Sequence, residues 1–316
     1  MEPRSAATSL TRMDYHRPME ALEAAERAWR CDGCGATLRT PSHLLSTRCS
    51  YCEAPLVEVA AADVHIDGVV PFTLSADAAA AKLSAFLKGH RWAPRELRRH
   101  ARHSGLLRAV YVPHQVYEGV VRASYDAAIG ITYTKRVGAG KNRKTVVRTD
   151  WHELRGTYGR SFEDHLVSAS AGLDEAHSNG LEPFDLGHAH PFDPRMVAGI
   201  EAELPTHERL ASQAVLADEL EAIVTREIST TFLPGDSQRL DAVNVDAQVS
   251  HSRVVLLPIW FGTFHLGGEA RHCFINGQTG RVVGHVPISK AKIAMLAAAA
   301  LVAVLVAWLL MRGGTP

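Results

Sequence analysis

Four cysteines constrain this chain more than any other feature. The stretch CDGCGATLRTPSHLLSTRCSYC, residues 31 to 52, sets Cys31, Cys34, Cys49 and Cys52 in two C-x-x-C pairs with fourteen residues between them. Each pair bends the backbone so that both thiolates face one point, and two facing pairs enclose a tetrahedral ion. Gly33 and Gly35 suit the first knuckle, where a tight turn calls for positive φ. Thiolates then fill all four positions and leave none open for a substrate. The spacing therefore predicts one structural zinc ion stabilising a small zinc ribbon over residues 27–58, after a polar, partly helical lead-in at 1–26. A thioredoxin-like redox pair needs a βαβ setting that the flanking sequence lacks, and a disulfide framework needs an oxidising compartment. Cys273 stands alone in EARHCFING, an expected strand, and reads as a core residue.

The compartment is argued from the other end of the chain. Residues 293 to 311, IAMLAAAALVAVLVAWLLM, carry no charge and no strong helix breaker. As a helix they would reach about 28 Å, close to the ~30 Å hydrocarbon thickness of a bilayer. The expectation is a single transmembrane helix over 290–312, with Trp308 near one interface. Lys290 and Lys292 before the span outnumber Arg312 after it, which places the N-terminal part in the cytoplasm. A reducing cytosol in turn favours metal over disulfides at the four cysteines.

Between ribbon and anchor, residues 65–289 read as an α+β body with an antiparallel sheet. RPMEALEAAERAWR, residues 17–30, has helical spacing of Met19, Leu22, Ala25 and Trp29. Ser75 is a candidate N-cap for a helix that presents Ala79, Leu83, Phe86 and Leu87 and stops at Gly89. From residue 106 the pattern changes to strands, with KTVVRTDWHELRGTYG as the return strand of a hairpin. A further helix is expected over 205–230, followed by three or four strands with a tight turn from Asn276-Gly277 to Gly280. VVLLPIWFGTF echoes AVYVPHQVYEG, which suggests two copies of one unit marked by Pro113 and Pro258.

The zero net charge conceals a division. Residues 88–160 hold 16 Lys or Arg against 5 Asp or Glu, whereas residues 161–246 hold 4 against 17. Arg95, Arg98, Arg99 and Arg102 fall at helical i, i+3, i+4 and i+7 spacing and would align four guanidinium groups. The turn KRVGAGKNRK adds Lys135, Arg136, Lys141, Arg143 and Lys144. These nine residues are the candidate anion-binding set, the bland alternative being neutralisation by the chain's own acidic half. The turn is not a phosphate-binding P-loop: Asn142 stands where a hydroxyl must follow Gly-Lys, and Lys135 where the first glycine belongs.

Catalytic patterns are weak. His188, His190 and Asp193 in GHAHPFDP offer a second metal site only if a turn gathers them, and the bland reading is loop packing. Asp150, His152 and Glu153 lie on an expected strand whose successive side chains face opposite ways, without the second histidine of H-E-x-x-H. No nucleophile elbow is present, so a non-enzymatic chain is expected.

The order of these segments, from the cysteine ribbon through VVPFTLS, RWAPRELRR, LRAVYVPHQVYEG and LLPIWFGTFHLGGEARHCFINGQTGRVVG to the apolar tail, resembles a family of uncharacterised bacterial zinc-ribbon membrane proteins. These are often catalogued as similar to primosomal protein N', the replication restart helicase. The resemblance covers roughly residues 27 to 312, and NGQTG and WAPREL are its most specific pieces. It implies fold and location rather than activity, since the Walker loop and its acidic partner that a helicase needs are missing from this chain. The reading is a membrane-anchored adaptor or scaffold: the ribbon binds a protein partner and the basic residues lie against the lipid bilayer. The alternative is a nucleic-acid-binding protein.

Overall fold

The computed structural model describes residues 26–57, 65–90, 107–138, 143–206, 209–266 and 269–286, and near the C-terminus residues 295, 298–305 and 308. The ribbon supplies two antiparallel pairs, β1 (Glu26–Arg30) with β2 (Thr37–Pro41) and β3 (Leu44–Arg48) with β4 (Pro55–Val57). β5 (Gly68–Val69) leads to α1 (Ala76–Gly89), where the Ser75 hydroxyl accepts from the Ala78 N–H and so satisfies one of the unpaired donors of the first turn. Ala79, Leu83 and Leu87 on its buried face pack with Leu107, Cys273 and Ile275.

Next comes a hairpin of unusual length, β6 (Leu107–Val137) and β7 (Lys144–Ser168). α2 (Glu175–Leu181), β8 (His190–Pro191), α3 (Pro194–Val197) and β9 (Glu201–Glu203) follow, then α4 (Arg209–Glu227), which ends in a π-helical turn at Ile228–Phe232. β10 (Ser237–Leu266), β11 (Glu269–Asn276) and β12 (Val282–Gly284) complete the sheet, and the β11–β12 turn closes with the Gly280 N–H donating to the Asn276 carbonyl, Gly280 lying at φ 74°.

β1 and β2 form a two-stranded sheet of their own, and the other ten strands form one sheet whose main path runs β12-β11-β10-β6-β9-β3-β4, with β7 paired to β6, β5 to β10 and β8 to β5. β6 is its spine. Along one edge it pairs with β10 from Leu107 to Gly130. Along the other it pairs first with β9, at Val110 and Tyr111, and from His114 onward with β7. Thirty extended residues would run to roughly 100 Å if straight, so such a blade must coil to cover a core. Both neighbours of β6 bulge at one level to permit this. Glu118 faces two residues of β7, Glu163 and Asp164, and Ser250 is the extra residue of β10. Asp164 takes φ 52°, as an extra residue in a bulge often does. Arg253 ties the corner, donating to Glu118 at 3.1 Å and to Asp164 at 2.7 Å.

α4 lies on the blade, with Leu216, Leu220 and Val224, and Ile228 after it, packed against Tyr117, Val121, Tyr158 and Phe162. At about 1.5–3 kcal/mol for each fully buried apolar side chain, this contact is the largest single reason for the helix to form on a sequence of mixed polarity. β10 begins at Ser237 opposite Gly130. Beyond that level β6 and β7 continue alone as a two-stranded ribbon.

Several expectations are corrected by this arrangement. The architecture is mostly β, 50% strand against 26% helix among the described residues, rather than the α+β body expected. One cause is that the strand patterns after residue 106 run on without a break into single strands of 31, 25 and 30 residues. Another is that Glu26–Arg30, the end of the helix expected over 17–30, is a strand instead, because pairing with β2 outweighs local helical spacing. The transmembrane helix is also withdrawn. Among the described residues no helix is long and apolar enough to cross a membrane. Of the expected span only Met295, 298–305 and Trp308 are described, all helical, and the longest of these runs would cover about 12 Å. The membrane location and the cytoplasmic placement argued from its flanking charges fall with it. The rest of 290–312 lies outside the described residues, as do residues 1–25 of the lead-in and Arg95, Arg98, Arg99 and Arg102, for which helical spacing was expected.

Candidate functional site

The four cysteines converge. β1 runs into the first knuckle and β3 into the second, and the two loops close by the same bonds. The Cys31 N–H donates to the Ala36 carbonyl and the Cys49 N–H to that of Ala54, while the Gly35 and Glu53 N–H groups return to the carbonyls of Cys31 and Cys49. Both fourth-following residues take positive φ, Gly35 at 74° and Glu53 at 59°. All four sulfurs lie within 4.8 Å of one another, with Cys31 to Cys52 at 3.6 Å and Cys34 to Cys49 at 3.7 Å. Tetrahedral thiolates at the usual ~2.3 Å from an ion would stand about 3.8 Å apart, whereas a disulfide needs about 2.05 Å. The group could hold a metal ion, and the separations exclude disulfides in this arrangement.

Electrostatics agree. N–H groups of Tyr51 and Cys52 at the second knuckle help draw the Cys49 thiol down to about 7. At Cys52 the Ala54 N–H acts in the same sense, but the crowded Cys34 and Cys31 sulfurs push it up to about 12. Four thiols this close cannot all ionise without a cation among them. Cys31 and Cys49 are buried with Leu38 and Leu56, which leaves the Cys34 and Cys52 side exposed.

The ribbon does not hang free of the sheet. β3 pairs with β9 through Leu44–Glu203 and Ser46–Ala202. The fully buried Ser46 hydroxyl donates to the Val197 carbonyl at 2.9 Å, and Arg48 donates to that of Gly199 at 2.7 Å. The second cysteine knuckle and the long blade are therefore parts of one continuous sheet.

The basic turn is the second feature. Lys135 and Arg136 close β6, Arg143 and Lys144 open the return, and Lys141 lies outside the described residues. The described four are exposed. Cross-strand pairing puts Tyr133 opposite Arg148, Lys135 opposite Val146 and Val137 opposite Lys144, so that cations and apolar side chains share one face. Thr132, Thr134, Arg136 and Val147 share the other. Ile131, Val147 and Trp151 are about half exposed or more. A two-stranded ribbon open on both faces gains little from its own packing.

Other sequence candidates are not gathered. His188 pairs with Asp185 at 2.8 Å, and His190 sits in β8 opposite Val69. Asp193 caps α3 and binds Arg195, whose hydrogen bonds draw the carboxyl down to about 2. Among the described residues the cysteine group alone has metal-binding geometry. Cys273 is buried in β11, its thiol pushed up to about 12 by burial. The residues that sequence reasoning missed are Arg253 at the bulged corner, and Arg108, Glu201 and Glu203 at the seam beside the ribbon. The seam brings β6 beside β9 and β10, which are far from it in the chain, so no local pattern marks it.

Comparison with known proteins adds little chemistry. No family profile matches the chain, and no solved structure does. It is similar to the uncharacterized protein YdjG of Bacillus subtilis, 31% identical over 131 residues. That likeness covers 40% of this chain and 38% of the length of the relative, whose name assigns no activity.

Proposed function

We propose that this chain is a non-catalytic adaptor: a zinc-stapled ribbon built into a β scaffold, with the β6–β7 ribbon as the arm that docks on an acidic, partly apolar surface of a protein partner. Zinc is the metal that four thiolates in a closed tetrahedron favour, and a closed shell gives it a structural task. The observation that carries the reading is the arm itself. Past Gly130 its two strands lose their third neighbour yet stay paired to Val137 and Lys144, and they expose Ile131, Tyr133, Val137 and Val146 among Lys135, Lys144 and Arg148. Apolar area interleaved with cations on a projecting ribbon suits a protein surface, where the apolar part contributes affinity and the charges set register and encounter rate.

A photo-crosslinking residue placed at Val137 of the full chain in cells tests this. The adaptor reading predicts a discrete, protease-sensitive adduct, diminished by reversing Lys135, Arg136 and Lys144 to Glu. A two-stranded basic ribbon also fits the major groove of DNA. A nuclease-sensitive adduct, or none at all, would overturn the protein-docking reading.

A further inference from the structure

A cleft of about 200 Å³ opens at the seam between ribbon and blade. Its floor is a single sheet face built from alternate residues of four adjacent strands. Val110 lies opposite both Ile259 and Glu201, Arg108 opposite Phe261, and Phe261 opposite Phe274. The loop 171–173, His43 and Thr206 form its rim. One end is thus apolar and aromatic, and the other is polar.

We propose that this cleft binds a small protonated amine that carries one apolar or aromatic group of about benzene size. The size follows from volume, since an apolar cavity of about 150 Å³ accommodates benzene. The charge follows from which polar group is committed. Arg108 donates to Glu201 at 3.0 Å and lies over the Phe261 ring at 5.2 Å, so its guanidinium is engaged on both counts. Glu203 differs. Its Oε2 accepts from the buried Ser170 hydroxyl, and among the described residues its Oε1 receives no hydrogen bond. Gly172 stands beside that oxygen. A Cβ there would come within 3.3 Å of Oε1, so glycine leaves the carboxylate uncovered where a side chain would crowd it.

Arg108 pairs with Glu201, and among the described residues Glu203 forms no ion pair, which leaves its Oε1 open to a cation. Burial pushes the Glu203 carboxyl up and Glu201 adds to this, against the opposing pull of the Ser170 hydroxyl and Arg108, so a negative charge is costly there without a further cation. An ammonium donating to Oε1 supplies the missing cation and stabilises the carboxylate. Phe261 and Phe274, with centroids 5.4 Å apart, and His272 stacked on Phe261 at 5.2 Å, offer ring faces to the ligand's apolar group and its cationic edge.

The test uses the full chain and three probes of one size: 2-phenylethylamine, 2-phenylethanol and phenylacetate, followed by ligand-observed NMR and calorimetry. The amine is expected to bind at least about tenfold tighter than the alcohol, the worth of one charge-assisted hydrogen bond, and the anion weakest. Glu203→Gln should abolish that preference while the alcohol still binds. Gly172→Ala, which narrows the approach to Oε1, should weaken the amine at least about fivefold with little change in melting midpoint, and it decides the matter if Glu203→Gln fails to fold. Preference for the anion, equal binding of all three, binding of none, or an amine preference that survives in the variants would each overturn the proposal.

Discussion

Gly119→Ala should damage this protein more than any other single methyl group placed on the blade. Gly119 sits in β6 at the level where both neighbouring strands bulge, opposite Phe162 on one side and Val249 on the other. An added Cβ would lie 2.2 Å from the Gln248 carbonyl oxygen and 2.8 Å from Phe162 Cζ. The first distance is about 0.8 Å short of the 3.0 Å below which real contacts of this kind essentially never fall. The obstacle is backbone, which cannot rotate away as a side-chain tip can. Moving β6 off β10 would press it into β7, with the α4 core at stake. Overpacking commonly costs about 1–3 kcal/mol, and a backbone clash in a strand held on both edges should cost about 3 kcal/mol or more. Gly159→Ala is the matched control: its Cβ would meet only the Val121 carbonyl at 3.8 Å, and its effect should stay within about 0.5 kcal/mol. Urea unfolding followed by circular dichroism reads both, through the midpoint at unchanged slope. A loss below about 1 kcal/mol at Gly119, or equal losses at the two sites, would refute the double-bulge geometry.

Three further outcomes follow from the same structure. His114 is fully buried, its Nδ1 donating to the Val112 carbonyl and its Nε2 accepting from the Ser178 hydroxyl, and burial lowers its pKa to about 4. The unfolded chain therefore binds this proton more readily, so stability present above about pH 6.5 should fall by about 3 kcal/mol as pH drops towards 4, and His114→Gln should flatten that limb of a pH–stability curve. Glu175 behaves in the opposite sense. Burial first, then Glu219 and Glu182, raise it to about 7 against the opposing pull of the Ser168 N–H and His165, so stability is lost as pH rises from about 4.5 to 7. Glu175→Gln should stabilise the protein at pH 8 by about 2 kcal/mol and have little effect at pH 4.5, as denaturant melts at the two values will show. Removing metal with a chelator, or Cys34→Ser, should expose the β1–β4 amides and the β3–β9 seam to hydrogen exchange before those of the β6–β10 ladder; uniform loss across the sheet would contradict a locally acting metal.

The sequence marks what local chemistry determines. Cys31, Cys34, Cys49 and Cys52 were legible because a metal site built from two tight loops is written in short spacings, and the Ser75 cap of α1 and the Asn276–Gly280 turn for the same reason. α4 was legible by its apolar face. What failed depended on long-range pairing. Helical spacing over 17–30 said nothing of a partner for Glu26–Arg30, and β2 supplied one. Alternation after residue 106 suggested strands but not that Leu107–Val137 would run unbroken, because a bulge in the neighbouring strand leaves no mark in β6 itself. The apolar tail was read from its length, composition and flanking charges, and no described helix there is long and apolar enough to cross a membrane. The seam cleft was invisible because Arg108, Glu203 and Phe261 meet only once β6, β9 and β10 are side by side.

The most direct test of the account is the metal content of the purified full chain, measured by elemental analysis alongside a thiol titration. A zinc-stapled ribbon predicts one zinc per chain, with four thiols released to the reagent only when the metal is chelated. A chain that carries no stoichiometric zinc and yields Cys31, Cys34, Cys49 and Cys52 as disulfides would contradict it.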